Sequence, residues 1–301
     1  MKSTDNMLQE FFKKQNDFSK KFYDSLTLSE KEKEELLKTL SLAMHNEISG
    51  IISSTNFKVF DKTNYSVDKN KLLYNSVDVF RYMMAVLNLY NISEHEFTAA
   101  FNERDVHLDI INKIKSPSSK QKVVVVDIDD VLCTFRCHFN NYLYKKYNIF
   151  IDPENTSYYS SKEVKNAGLS PEGVFETFIE EDGFLDIPVI PEMIELVQDM
   201  KNQGVYVQLL TSRPDHNLKC KYQTFVWLEN NNIPFDNIGF ASEKYIWLSK
   251  KDFYINNNLL SAIDDSPKHA MEYATHGIKV LVPRMPYNKN LEHKNITYFN
   301  L

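Results

Sequence analysis

The chain has 301 residues and a formal net charge of −6 at pH 7, with 43% hydrophobic and 13% aromatic side chains. That length suggests two domains, or one large domain with an appendage, and the composition excludes a disordered chain. The acidic balance argues against broad capture of nucleic acid, no apolar run reaches membrane-spanning length, and the first residues show no signal-peptide pattern.

Residues 1–115 read as an all-α domain. Ser29 followed by Glu32 is a capping box, and Leu36, Leu37, Leu40, Ala43 and Ile48 then keep helical spacing. After a loop over 53–70, a second helix runs from Lys71 to about Asn91, with Leu73, Val77, Phe80, Met84 and Leu87 on one face. A third, Ser93 to Ile114, carries Phe97, Phe101, Val106 and Ile110. Residues 116–122, SPSSKQK, lack hydrophobic periodicity and make the best linker. Glu47 and Asp78 lie among apolar neighbours on two helices, an arrangement that suits a metal held between them. Their spacing resembles the all-α NTP pyrophosphatases of the MazG and dimeric dUTPase group, which pair an ExxE helix with an ExxD helix. FNERDVHL, residues 101–108, resembles their downstream helix. Here Gly50 follows Glu47 and Asn75 precedes Asp78, each at the position where the family carries another carboxylate. The resemblance implies a packing or homodimerisation domain, with Glu47 and Asp78 as a candidate second site.

Lys122 to Phe135, KVVVVDIDDVLCTF, is the stretch with the most chemistry in it. Val123 to Val126 offer no polar face and predict a strand buried on both sides of a parallel sheet. It ends in Asp127, Asp129 and Asp130, at the edge where α/β sheets place their ligands. Crowded carboxylates repel unless a cation or shared protons compensate, and a hard ion such as Mg²⁺ is the natural partner. Cys133, Cys137 and Cys220 form no Cys-x-x-Cys pair, which fits a reduced, cytoplasmic protein with buried thiols. Residues 136–186 predict a helical, aromatic-rich insertion, a cap over the pocket. Most of its rings, among them Tyr158 and Tyr159, are expected to pack its own core.

A β-α-β run follows. Residues 188–204 predict a helix closed by Gly204, and 205–214 a strand ending in Thr211, Ser212 and Arg213. After a helix from about His216 to Asn230, a short strand from Ile238 delivers Lys244. Residues from Tyr245 to about Ile255 read as helix, 259–267 as a strand ending in Asp264 and Asp265, and 278–283 as a fifth strand. This alternation predicts a doubly wound parallel sheet over 123–301. All the strand ends named would then share one edge.

Residues 122 to about 290 resemble the haloacid dehalogenase-like (HAD) phosphohydrolases. Asp127-Ile-Asp129 matches their first motif, Thr211 the second, Lys244 the third and Asp264-Asp265 the acidic fourth; Asp130 stands where many members have Gly. Lys250 and Lys251 lie close enough in sequence to compete for the third motif, and Lys244 is preferred for following a strand end directly. DIDDVLCTF, Asp182-Gly183-Phe184, Pro188 to Pro191 and TSRP are similar to the 5′-deoxyribonucleotidases among them. The resemblance implies a phosphomonoesterase acting on nucleoside monophosphates. Asp127 would be its nucleophile and Asp129 its acid and base. Mg²⁺ would lie near Asp127, Asp129, Asp264 and Asp265, with Thr211, Ser212, Arg213 and Lys244 at the phosphate and Phe135 and Phe184 at the base. A polynucleotide 3′-phosphatase, and a bifunctional hydrolase whose helical half releases pyrophosphate from dNTPs, are the alternatives.

Overall fold

The computed structural model describes residues 4–55, 66–152, 154, 161–244 and 259–300. The chain divides into two compact units, Met1–Asn102 and Glu103–Leu301.

The first unit contains α1 (Thr4–Ser19), α2 (Glu30–Ser53), α3 (Lys69–Leu89) and the start of α4 (Glu94–Lys113). The expected capping box opens α2: Ser29 Oγ accepts from the Glu32 N–H at 3.4 Å, and Glu32 Oε2 accepts from the Ser29 N–H at 2.9 Å. Phe11 meets Phe80 edge-on, and Arg81 Nε donates to Gln15 Oε1 at 3.1 Å, fastening α1 to α3. Among the described residues α2 has no buried side chain, and Leu42, Leu73 and Tyr74 are 73%, 57% and 67% exposed. The apolar stripes read from the sequence are therefore only partly covered.

The expected boundary at residue 115 differs from the observed one, which falls inside α4. His107 stacks on Phe225 with ring centroids 4.6 Å apart, and Ile110 joins the core of the second unit. Helical periodicity runs unbroken through this point, so nothing in the local pattern marks the division. No helix among the described residues is long and apolar enough to cross a membrane.

The second unit is built on a parallel sheet of β1 (Val123–Val126), β2 (Tyr206–Leu210), β3 (Asn237–Gly239), β4 (Leu259–Ile263), β5 (Lys279–Pro283) and β6 (Ile296–Phe299). Their order is β3-β2-β1-β4-β5-β6. The four valines of β1 divide by parity: Val124 and Val126 enter the core on one face, Val123 and Val125 the core on the other. Full burial of each contributes roughly 1.5–3 kcal/mol, which rewards an all-apolar strand in the middle of a sheet. From β1 the chain builds outward through β2 and β3, then returns to β4 on the opposite side. The switch point thus lies at the carboxyl end of β1, where adjoining loops part and leave a crevice. Strand β6 was not expected; its four residues carry no alternation strong enough to announce it.

Three helices, α5 (Phe135–Tyr147), α6 (Ser161–Asn166) and α7 (Pro171–Glu180), form the insertion after β1, with Leu143, Ile149, Ile151, Val164 and Val174 as a small core of their own. The sheet is flanked by α8 (Pro191–Asn202), α9 (Leu218–Asn230) and α10 (Pro267–Thr275). Tyr158, Tyr159 and the helix expected over 245–255 lie outside the described residues.

Gly183 leaves no room for a side chain: a Cβ there would stand 2.3–2.5 Å from three ring carbons of the buried Phe178. Gly183→Ala is expected to destabilise the second unit by about 1–3 kcal/mol through overpacking. A thermal melt indistinguishable from wild type would contradict this.

Candidate active site at the carboxyl edge of the sheet

Register builds the site. Val126 pairs with Ile263, and the Asp127 N–H donates to the Ile263 carbonyl at 2.9 Å. The residues that follow, Asp127 on one strand and Asp264 on the next, are thereby neighbours. Oxygens of Asp127, Asp264 and Asp265 lie within 4.8 Å of one another, and all three residues are buried. Lys244 Nζ stands 2.8 Å from Asp127 Oδ1 and 3.0 Å from Asp264 Oδ2, with Lys244 itself 1% exposed. These are ion pairs by distance, but their angles fall outside hydrogen-bond geometry. His269 Nδ1, near the start of α10, adds a contact of 3.4 Å to Asp264 Oδ1.

One lysine between two carboxylates cannot satisfy both. Burial opposes ionisation of Asp264, but Lys244 and His269 hold it down at about 2. Burial pushes Asp127 up to about 6, and the pull of Lys244 is offset by Asp264 and Asp129. Asp265 is held well above the carboxylate range, by burial first and then by Asp127 and Asp264. Burial likewise raises Asp130 to about 7.

Three buried acids facing one ammonium can all ionise only if further positive charge joins them, and Asp265 Oδ1 has no hydrogen-bond partner among the described residues. A small oxygen-seeking divalent cation fits this donor set. The side chain of Asp129 does not join the cluster. It is forked by Arg213, whose Nη2 and Nε approach its carboxylate at 2.7 and 3.1 Å.

Arg213, expected at the phosphate, lines the cavity beside Asp127 and Asp129 and is also held by protein partners. It is 3% exposed, donates to Thr224 Oγ1 at 3.0 Å, and lies 4.3 Å over the ring of Phe184. The guanidinium is occupied by protein partners, as the distance alone cannot be read from TSRP. Thr211 is fully buried, its Oγ1 accepting from the Arg213 N–H at 3.2 Å, whereas Ser212 is exposed. Lys244 comes not directly from a strand end: β3 stops at Gly239, and residues 241–244 form a helical turn. The competing Lys250 and Lys251 lie outside the described residues.

A cavity of about 400 Å³ opens above Asp127 and Asp129, lined by Phe135, Phe139, Phe175, Phe184, Ser212 and Arg213 among others. Phe135 stacks on Phe184 at 5.7 Å, and Phe184 is fully buried. Both rings line the cavity, Phe135 half-buried and Phe184 fully buried beside it. A larger cavity of about 720 Å³ reaches the site only through Asp130 and contains neither Asp127 nor Asp129. Cys133 and Cys220 are buried as expected, with burial pushing Cys220 up to about 12, whereas Cys137 is exposed.

Glu47 and Asp78 are both half-buried, on the paired helices α2 and α3. At the two positions where carboxylates are missing, Asn75 lies against Gly50: its Nδ2 is 2.0 Å from where a Gly50 Cβ would stand. An amide fills the gap between these helices. Residues that sequence reasoning did not single out include Tyr287, Asn288 and His269, which sit in segments without a recognisable motif.

A parallel sheet bearing buried aspartates at its switch point, with an insertion after the first strand, defines a HAD-type phosphatase. The chain belongs to the family described as 5′ nucleotidase, deoxy (Pyrimidine), cytosolic type C protein, which it matches over residues 121–296, and its residues 7–168 match the family described as dUTPase. The second match runs past the helical unit into the insertion. “Putative nucleotidase OB0422” of Oceanobacillus iheyensis is 27% identical over 169 residues, spanning 54% of this chain and 87% of that protein. Similar solved structures include CbbY from Rhodobacter sphaeroides in complex with phosphate, at 15% identity and a TM-score of 0.40, covering 59% of this chain and 92% of that one. Another is a HAD hydrolase, family IA, variant 3, from Entamoeba histolytica, at 14% identity and a TM-score of 0.40, covering 59% and 92%.

The electrostatics carry a sign that can be measured. The folded pKa of Asp127, about 6, exceeds its ordinary 3.8, so the folded state binds the extra proton and stability falls as pH rises between those values. Asp130, raised to about 7, extends that window upward. A divalent cation held by the cluster would offset the loss, so the gain in Tm on replacing EDTA with a divalent cation is expected to widen from pH 5 to pH 8. A gain that is flat or shrinks over that range would contradict the charge balance described.

Proposed function

We propose that the chain is a Mg²⁺-dependent 5′-(deoxy)nucleotidase that hydrolyses nucleoside monophosphates through an aspartyl-phosphate. The observation that carries this reading is the convergence of Asp127, Asp264 and Asp265 beneath an aromatic cavity sized for one small ring-bearing ligand. Asp127 attacks the phosphate phosphorus, the bond to the ribose oxygen breaks, and Asp129 supplies the proton that oxygen needs. Asp129 then takes a proton from the water that cleaves the aspartyl-phosphate, so both groups return to their starting states. Arg213, forked onto Asp129, keeps that carboxylate oriented between its two tasks. Ser212 and Thr211 flank the phosphate position, and Lys244 restrains Asp127. Phe135 offers a ring face to the base. Asp127, Asp264 and Asp265, with the Asp129 backbone carbonyl, are the groups that would hold Mg²⁺, which when bound neutralises charge between nucleophile and phosphate.

An aromatic-lined cavity of this size and the acidic balance of the chain favour a mononucleotide over the end of a polynucleotide, whose backbone needs a basic groove. The Asn75 amide against Gly50 favours a helical unit without chemistry of its own. Its uncovered apolar side chains support assembly with a second copy. Free cysteines support residence in the cytoplasm.

With Mg²⁺ and a panel of nucleotides, phosphate release from nucleoside monophosphates is expected to exceed that from a 3′-phosphorylated oligonucleotide, with no pyrophosphate from dUTP or dCTP. Asp127→Asn should lower the rate by about 10³-fold or more; full activity in that variant would remove Asp127 from the mechanism. Sedimentation velocity is expected to show a dimer that Leu42→Glu combined with Leu73→Glu converts to monomer. A wild-type monomer at micromolar concentration would end the assembly reading.

A further inference from the structure

The loop after β5 grips Asp265 with two side chains, Tyr287 and Asn288. Asn288, 1% exposed, donates its Nδ2 to the carbonyl of Asp265 at 2.9 Å and to that of Pro283 at 2.8 Å, while its Oδ1 accepts from the Met285 N–H at 2.9 Å. This fixes the backbone of Asp265. Its side chain is fixed separately: the Tyr287 hydroxyl donates to Asp265 Oδ2 in a short contact, and the same hydroxyl oxygen lies 3.4 Å from Asp130 Oδ2.

Asp130 in turn is anchored. Its Oδ1 accepts from the Arg136 N–H at 2.9 Å, in the first turn of α5, and the Arg136 guanidinium lies 5.1 Å over the Tyr287 ring. The backbone at Asp130 has φ +56°, the left-handed region that glycine enters freely and other residues enter at a cost. A carboxylate kept where glycine would be easier points to a job for the side chain. Its visible job is to tie the loop after β1 to the loop after β5.

The consequence falls on Asp265. With Oδ2 held by Tyr287, its other oxygen, Oδ1, is left without a hydrogen-bond partner among the described residues. A carboxylate gripped at one oxygen presents the second in a fixed direction, and Asp265 is one of the three acids whose carboxylate oxygens converge with those of Asp127 and Asp264. We propose that Tyr287 is a positioning residue for the cation site: through Asp265, and braced by Asp130, it presets the third carboxylate before the ion arrives. The inference rests on the Mg²⁺ reading given above.

Calorimetric Mg²⁺ titration of the full chain tests it, with melting in EDTA as the control. Groups that orient a metal ligand from behind typically change affinity by about 10–100-fold when removed. Tyr287→Phe is expected to weaken Mg²⁺ binding by about 10-fold, leave the melt in EDTA within a few degrees of wild type, and regain turnover at saturating Mg²⁺. Asp130→Gly, which suits the local backbone, should weaken Mg²⁺ in the same direction, and the double variant should lose less than the two effects combined. Unchanged Mg²⁺ affinity in Tyr287→Phe, with or without a lower melt in EDTA, would make Tyr287 a packing residue and overturn the proposal. No Mg²⁺ binding by the wild-type protein would instead overturn the cation reading itself, and the proposal with it.

Discussion

Negative charge concentrated where water is nearly excluded is the condition the rest of this molecule answers to. Asp127, Asp264 and Asp265 are 4% exposed or less, and Lys244 offers them a single ammonium. Buried carboxylates in such numbers are tolerated only when partners surround them. The sheet supplies the closeness, because parallel register sets Asp127 beside Asp264. Surrounding segments supply the partners: a helical turn brings Lys244, α10 brings His269, and the loop after β5 brings Tyr287 and Asn288. Each comes from a different stretch of chain, so the site closes only when the whole second unit has folded.

Packing and chemistry share residues on the other side of the site. Phe184 is fully buried, carries Phe135 on one side, and lies beneath the guanidinium of Arg213. That guanidinium, desolvated and set over an aromatic face, keeps its hydrogen bonds for Asp129 and Thr224. The aromatic insertion is therefore more than a cover. Its rings set the position of the arginine, and the arginine sets the position of the Asp129 carboxylate.

Strands with no polar face and abrupt carboxylate ends were legible in the sequence, since burial on both faces and a charged terminus are local properties. Val123 to Val126 with Asp127, and the pair Asp264 and Asp265, could be located from their own few residues. The partners were harder to see. Arg213 reads from TSRP as a phosphate contact, yet its direction depends on Phe184, Trp227 and Thr224, distant in the chain. Tyr287 lies in a loop whose residues follow no motif, and only the fold reveals that it reaches Asp265. Asp130 marks the middle ground: its departure from glycine was visible, but its φ and its two partners were not. Division of the helical region failed to show for a related reason, because a helix shared between units looks like any continuous helix.

The same arithmetic of carboxylates separates the two halves. At the sheet edge, three buried acids converge and exceed the positive charge set against them. Between α2 and α3, Glu47 and Asp78 are only half-buried, and the positions one turn away hold Gly50 and Asn75. An uncharged amide seated against a glycine needs no ion; it closes the helices by contact, where a second pair of carboxylates would have driven them apart without one. Replacing acids by this pair exchanges affinity for a cation for packing between helices.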